Sequence, residues 1–173
     1  FLFNTLNNLY YLATEKSERA PTAILQLSEM LDYAMHTGKY EMVPMEAELK
    51  QVENYIGLEL LRYEDRVQVD TTVTGKLEDA KIGPMILITL IENAFKHGVM
   101  KVAGKSWIKL TVDSNTERTM ISIRNSWKNG ASGNGIGLHN LRGQLDLLYG
   151  KNYELLIGVD KPGEFSVNLS INK

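Results

Sequence analysis

Pro84-Met85-Ile86-Leu87-Ile88-Thr89-Leu90-Ile91-Glu92-Asn93-Ala94-Phe95-Lys96-His97-Gly98 is the stretch on which the fold turns. Its first half is apolar nearly all round, as in a buried helix; its second half is polar, and a glycine closes it. A polar cluster after such a run either caps the helix at the surface or faces a ligand, because unpaired polar groups are costly to bury. Asn93 offers a neutral hard oxygen of the kind Mg²⁺ takes beside its waters and phosphate oxygens. Lys96, one turn on, is placed to reach a phosphate. Taken singly, Lys96 reads as an ordinary solvated lysine and His97 as a helix-end cation.

Upstream, Leu2, Leu6, Leu9 and Ala13 recur at helical spacing, and Pro21 opens a second helix with Ile24, Leu27, Met30, Leu31 and Ala34. This hairpin, residues 1–40, has too little core to stand alone. Its apolar stripes call for a partner hairpin in a dimeric bundle, the expectation preferred here, or for the flank of the domain that follows, residues 41–173. A third helix is predicted from Met45 to Tyr63, then a strand from Val67 to Val73. Downstream, Trp107–Val112 and Met120–Asn125 alternate as strands, Ile136–Tyr149 reads as a helix, and strands near 154–159 and 164–171 close the chain. The order ααα-β-α-ββ-α-ββ, with strand pairs on short turns, predicts an α+β sandwich in which helices cover one face of a mixed sheet.

Between strand and helix lies Gly133-Asn134-Gly135-Ile136-Gly137-Leu138-His139-Asn140. Alternate glycines let backbone approach a polyphosphate, and the free N–H groups of a helix start attract the anion. By itself the pattern is equally a flexible loop before a capped helix. It misses the spacing of a dinucleotide-binding turn and carries no P-loop lysine.

Bulk properties narrow the classes. The 173 residues are 43% hydrophobic and 23% charged, with a formal charge of −2 and no cysteine. No basic field points to nucleic acid, thiolate chemistry and Cys-ligated metals are excluded, and no apolar run of about 18 residues predicts membrane contact. Without an initiating Met, Phe1 reads as a cut inside a longer protein.

Together, Ile91–His97 and Gly133–Gly137 resemble the N box and G2 box of the GHKL ATP-binding fold shared by histidine kinases, gyrase B, Hsp90 and MutL. The resemblance sharpens to LytS/YehU-type sensor histidine kinases: Phe1-Leu2-Phe3-Asn4 is similar to their His-Phe-Leu-Phe-Asn motif from its second residue. Tyr55, Leu58-Glu59, Leu61-Arg62-Tyr63, Ile82-Gly83-Pro84, Asn140-Leu141-Arg142 and Leu147-Leu148-Tyr149-Gly150 match as well. The resemblance implies a fragment that starts just past the phosphoacceptor histidine and passes the γ-phosphoryl group of Mg²⁺·ATP to that histidine and on to a response regulator of the LytTR type. It implies catalytic roles for Glu92, Asn93 and Lys96, Mg²⁺ on Asn93, and ATP contacts from Asn93, Lys96, His97, Asn125, Gly133, Gly135, Ile136, Gly137, Leu138 and Arg142. It further implies a homodimeric parent, a cytoplasmic location for this part, and an inner-membrane sensor as parent. His36, His97 and His139 do not fit the acceptor position. For Asn4, two readings stand: a water-orienting phosphatase residue or a polar residue of the helix surface.

Two departures count. Where the G1 box has Asp-x-Gly-x-Gly, this chain has Asn125-Ser126-Trp127, so adenine would meet an amide oxygen without charge, and Trp127 would pack over the nucleotide as part of a lid. The alternative is a degenerate, non-catalytic nucleotide-binding or dimerisation module. Second, the hydrolases carry a glutamate four residues before the metal-binding asparagine; here that residue is Thr89, which argues against a dedicated ATPase.

Overall fold

The computed structural model of the chain describes residues 1–128 and 136–173. Three helices lead: α1 (Leu2–Thr14), α2 (Ala20–Thr37) and α3 (Met45–Tyr63). Pro21 stands in the first turn of α2, where a missing N–H costs no hydrogen bond. The remaining elements are β1 (Val43–Pro44), β2 (Val67–Gly75), β3 (Lys81–Ile82), α4 (Ile86–Asn93), β4 (Ser106–Ser114), β5 (Arg118–Ser126), α5 (Ile136–Tyr149), β6 (Tyr153–Lys161) and β7 (Glu164–Asn172). The predicted order is thus observed, with one addition: β1 and β3 form a two-residue antiparallel ladder that pins the chain ahead of α3 to the chain ahead of α4.

The main sheet runs β2-β4-β5-β7-β6, with β2 and β4 parallel and every other neighbouring pair antiparallel. Strand residues alternate between buried and open, as in β4, so one face is covered and the other meets solvent. On the covered face Ile108, Leu110, Val112, Ile121, Ile123, Val167 and Leu169 form one core with Ile86, Leu87, Leu90 and Ile91 of α4 and Leu138, Leu141 and Leu145 of α5. Each such side chain contributes about 1.5–3 kcal/mol when fully buried. The fold is therefore α+β, with helices over one face of a mixed sheet.

The hairpin of α1 and α2 buries one stripe on α3: Leu9, Ala23 and Leu27 pack with Leu58. Its other stripe stays open, with Phe3, Tyr10, Tyr11, Ile24, Leu25 and Met35 all exposed. No helix among the described residues is long and apolar enough to cross a membrane.

The entrance to α4 is held by a buried acid. Glu48 of α3 is wholly buried and accepts hydrogen bonds from Met85 N (2.7 Å) and Leu87 N (3.0 Å), satisfying two N–H groups at the helix start. Met85 sits at φ +64°, a left-handed conformation unusual for a bulky residue, and the carboxylate holds it there. A third bond comes from Tyr33 Oη of α2 (2.7 Å), so one side chain ties the hairpin, α3 and α4 together. Burial raises the Glu48 carboxyl above the ordinary range, against the bonds that pull it down.

Candidate functional site

At its C-terminal end α4 passes directly into a π-helical turn, Ala94–Gly98. Such turns interrupt the i to i−4 ladder and re-aim side chains, which is why they gather at functional sites. Ala94 and Phe95 stay in the core, whereas Lys96 is exposed and Glu92, Asn93 and His97 are half-buried.

Asn93 is oriented by its own helix. Its Nδ2 donates to the Thr89 carbonyl at 2.6 Å, and among the described residues Oδ1 accepts no hydrogen bond. Thr89 Oγ1 in turn donates to the Met85 carbonyl at 2.8 Å, so the position one turn before Asn93 holds a hydroxyl tied to backbone. The start of α5 lies against this amide: a Cβ on Gly137 would sit 3.1 Å from Asn93 Nδ2 and 3.3 Å from Oδ1. A second glycine closes a similar contact, since a Cβ on Gly98 would stand 2.1 Å from Asn125 Nδ2 and 2.8 Å from the Ser126 carbonyl. Backbone therefore replaces side chain at two places, and segments far apart in sequence meet around Asn93 and Gly98.

Asn125 is buried at the end of β5, with its Nδ2 donating to Ser126 O at 2.8 Å. His97 carries a buried Nδ1 with no hydrogen-bond partner among the described residues. Burial pushes the His97 imidazole below its ordinary pKa, with Lys101 and Lys96 adding to the effect and Glu92 opposing it. Leu138 is buried one residue behind Gly137, and His139 is exposed. Ile136 is the first residue of α5, and Gly133 and Gly135 lie outside the described residues.

Three expected features are placed elsewhere. Arg142 is exposed, and its charge acts on Tyr153 of β6; five residues past Gly137 it points to another side of α5, so it does not join the cluster. Trp127 is not over the site: it is buried and stacked on Phe165 with ring centroids 4.7 Å apart, because its large apolar surface finds a partner on β7. Its backbone N–H donates to Gly163 O at 2.8 Å, which fixes it further. Glu92 lines a cavity shared with Phe1, Asn4 and Glu59, and Lys96 lines the same cavity. His36 is exposed and paired with Asp32.

The arrangement fits a polyphosphate nucleotide with a hard cation. Among the described residues Asn93 Oδ1 and the buried His97 Nδ1 have no hydrogen-bond partner, Lys96 stands one turn from Asn93, and backbone without Cβ lines the floor. Among the described residues no three His, Cys, Asp or Glu side chains gather to hold a metal by themselves, so a cation here would take most of its ligands from phosphate and water. Two positions that composition and spacing did not single out are the buried acids of α3, Glu48 and Glu59. Each falls on the apolar stripe that includes Met45, Val52, Tyr55 and Tyr63, and that misplacement of charge was the available signal.

Comparison with known proteins bears on the family and the fold. Residues 1–67 match the family model of histidine kinases. Over 98 residues the chain is 38% identical to an uncharacterized sensor-like histidine kinase of Staphylococcus epidermidis and 37% identical to the sensor protein kinase HptS of Staphylococcus aureus. Each alignment covers 57% of this chain and 19% of the relative, so the chain spans about a fifth of the proteins it matches. Among solved structures, the catalytic domain of histidine kinase ThkA superposes with a TM-score of 0.57 at 14% identity, covering 76% of this chain and 94% of that one. The Acinetobacter baumannii histidine kinase AdeS gives a TM-score of 0.57 at 13% identity, covering 92% and 79% respectively. ThkA in complex with the response regulator protein TrrA gives 0.54 at 14% identity, covering 89% and 49%. At these identities the structures speak for the fold alone.

Proposed function

We propose, from the match of residues 1–67 to the family model of histidine kinases, that this chain is the Mg²⁺·ATP-binding core of a sensor kinase that transfers the γ-phosphoryl group to a histidine which this sequence does not contain. The observation that carries the reading is the approach of Gly137 to Asn93, a space that a Cβ would fill. The helix start of α5 brings free N–H groups and a positive dipole end to that space, which suits phosphate.

Each residue then has a task. Asn93 Oδ1 would hold the cation, and the cation supplies charge neutralisation on the phosphates. Lys96 binds phosphate oxygens, and the N–H groups of Gly137 and Leu138 orient them. Asn125 accepts from the adenine amino group through its amide oxygen, and His97 Nδ1 meets the nucleoside side of the ligand. Catalysis of this kind is positioning and electrostatics, with no covalent chemistry asked of the site. Thr89 in place of an acid supports transfer to a protein group over hydrolysis by water.

The hairpin of residues 1–40 belongs to dimerisation and phosphotransfer, and residues 41–173 to nucleotide binding. The exposed stripe around Phe3, Tyr10, Ile24 and Met35 suits a second copy in the parent protein. A response regulator is the onward acceptor, in line with the ThkA–TrrA complex, and the resemblance makes it one of the LytTR type; Asn4 would orient the water that hydrolyses the regulator's phospho-aspartate. The parent is a membrane-anchored sensor of which this part faces the cytoplasm.

The test is incubation of the full-length protein with γ-labelled ATP and Mg²⁺. Acid-labile, base-stable phosphate on the protein, lost in Asn93→Ala, is the expected result. Intact ATP binding with no label would instead establish the degenerate module.

A further inference from the structure

Helices cover one face of the main sheet, and the face they leave open carries a pattern. Across the strands in register, Lys109, Arg124 and Gly158 share one row, Thr111, Ser122 and Leu156 the next, and Asp113, Met120 and Glu154 the third. The first row is basic and the third acidic. Apolar surface lies among them, with Leu156 57% and Met120 37% exposed. A hollow of about 200 Å³ has Met120 and Leu156 in its lining and Asp113 and Glu154 on opposite sides.

Much of the polar surface of this face is already paired within it. Ser122 Oγ donates to Asn168 Oδ1 at 2.7 Å, Thr74 Oγ1 to Asp113 Oδ1 at 2.6 Å, and Arg124 Nε to Glu164 Oε1 at 2.7 Å. Groups satisfied in this way lose little when water is removed from above them. Lys109 differs: its Nζ lies 5.9 Å from the centre of the Trp107 ring, and it makes no ion pair among the described residues.

We propose that this open face is an interface between two copies of the chain, packed sheet on sheet about a two-fold axis that crosses the strands along the row of Thr111, Ser122 and Leu156. The inference is independent of the nucleotide reading, and it uses none of the exposed stripe of the hairpin. Facing sheets stand about 10 Å apart, and rows two residues apart lie about 6.7 Å apart along a strand. The axis lays the first row of each copy on the third row of the other. Lys109 then faces Asp113 of the second copy, and the symmetry forms that pair twice. Arg124 lays its aliphatic stem on Met120, and Leu156 meets its own counterpart on the axis. Glu154 lands over Gly158, where a Cβ would meet nothing within 4 Å. Asp160, the acid nearest that spot, is taken up by Ser166 Oγ at 2.8 Å and lies 3.9 Å from Arg124 Nε. Five strands of nine residues offer about 24 by 30 Å, or about 700 Å² on each copy, close to the roughly 800 Å² that a standard interface takes from each partner.

The chain has no cysteine, so introduced cysteines report the contact cleanly. With a short bismaleimide, Leu156→Cys is expected to give about tenfold more dimer than Leu147→Cys, an exposed position on α5 that measures random collision. Adding Lys109→Glu sets like charges face to face twice and is expected to cut that product on the order of tenfold. Adding Asp113→Lys as well restores opposite charges and with them the product. A yield no higher than that of Leu147→Cys, indifference to Lys109→Glu, or no recovery in the double charge swap overturns the proposal. Should a variant not fold, amide NMR shifts of the unaltered chain under dilution decide. Movement at Lys109, Asp113 and Leu156 supports the contact; movement confined to the hairpin, or none, overturns it, also if another protein is then found to cover the face.

Discussion

Tyr33 Oη donates to Glu48 Oε1 at 2.7 Å, and through that one carboxylate the hairpin reaches the start of the helix whose far end carries Asn93. The two partners are unequal. Glu48→Ala strands the N–H groups of Met85 and Leu87, each costing about 1–3 kcal/mol when left unpaired in the interior. Tyr33→Phe removes one donor and leaves the cap of α4 whole. Urea denaturation should show a loss of about 3 kcal/mol for Glu48→Ala and about 1 kcal/mol for Tyr33→Phe. Equal losses would mean that Glu48 serves the hairpin and not α4.

Gly98 is a sharper probe of packing at the site. A methyl group there would strike Asn125 Nδ2 and the Ser126 carbonyl. Gly98→Ala should destabilise the fold by about 1–3 kcal/mol, as overpacking does, and weaken ATP binding by displacing Asn125. Gly143→Ala, inside α5 with nothing within 4 Å, should leave ATP binding unchanged and raise stability by about 0.5–1 kcal/mol, the opposite sign, and serves as the control.

The His97 imidazole is held below its ordinary value of 6.5 by burial and by Lys101 and Lys96. A depressed folded pKa means that the unfolded chain binds the proton first as pH falls. The stability His97 contributes is therefore fully present above pH 6.5 and is lost as pH falls from there through the folded pKa. Melting temperatures measured from pH 7.5 downward should fall below about 6.5, and His97→Gln should remove that part of the slope. A slope unchanged in the variant would contradict the placement of the ring in a partly buried, cationic setting.

Periodicity made most of the fold legible. The bounds of α3, Met45–Tyr63, and of α5, Ile136–Tyr149, follow from their apolar spacing and, for α3, from Pro44 before it. What periodicity counts is apolar residues, so it passed over Glu48 and Glu59, whose burial depends on donors from α2, α4 and Arg62. The ladder of Val43–Pro44 with Lys81–Ile82 is too short to leave an alternating pattern. At the site, the meeting of Asn93 with Gly137 was readable because a resemblance joined two motifs that spacing alone left ambiguous. Trp127 and Arg142 were not readable. Phe165 decides the first, and the rotation of α5 about its axis decides the second.

Nucleotide binding tests the central claim most directly, through the melting temperature of the chain titrated with ATP, with and without Mg²⁺, beside Asn93→Ala and Gly137→Val. A ligand that binds only the folded state raises that temperature by mass action, by about 2.7 kcal/mol of added stability at a hundred times its dissociation constant. The account predicts a rise with ATP that grows when Mg²⁺ is present, loses its Mg²⁺ dependence in Asn93→Ala, and vanishes in Gly137→Val. A wild-type chain whose melting temperature does not move with Mg²⁺·ATP, or folded variants that respond as wild type does, would contradict it.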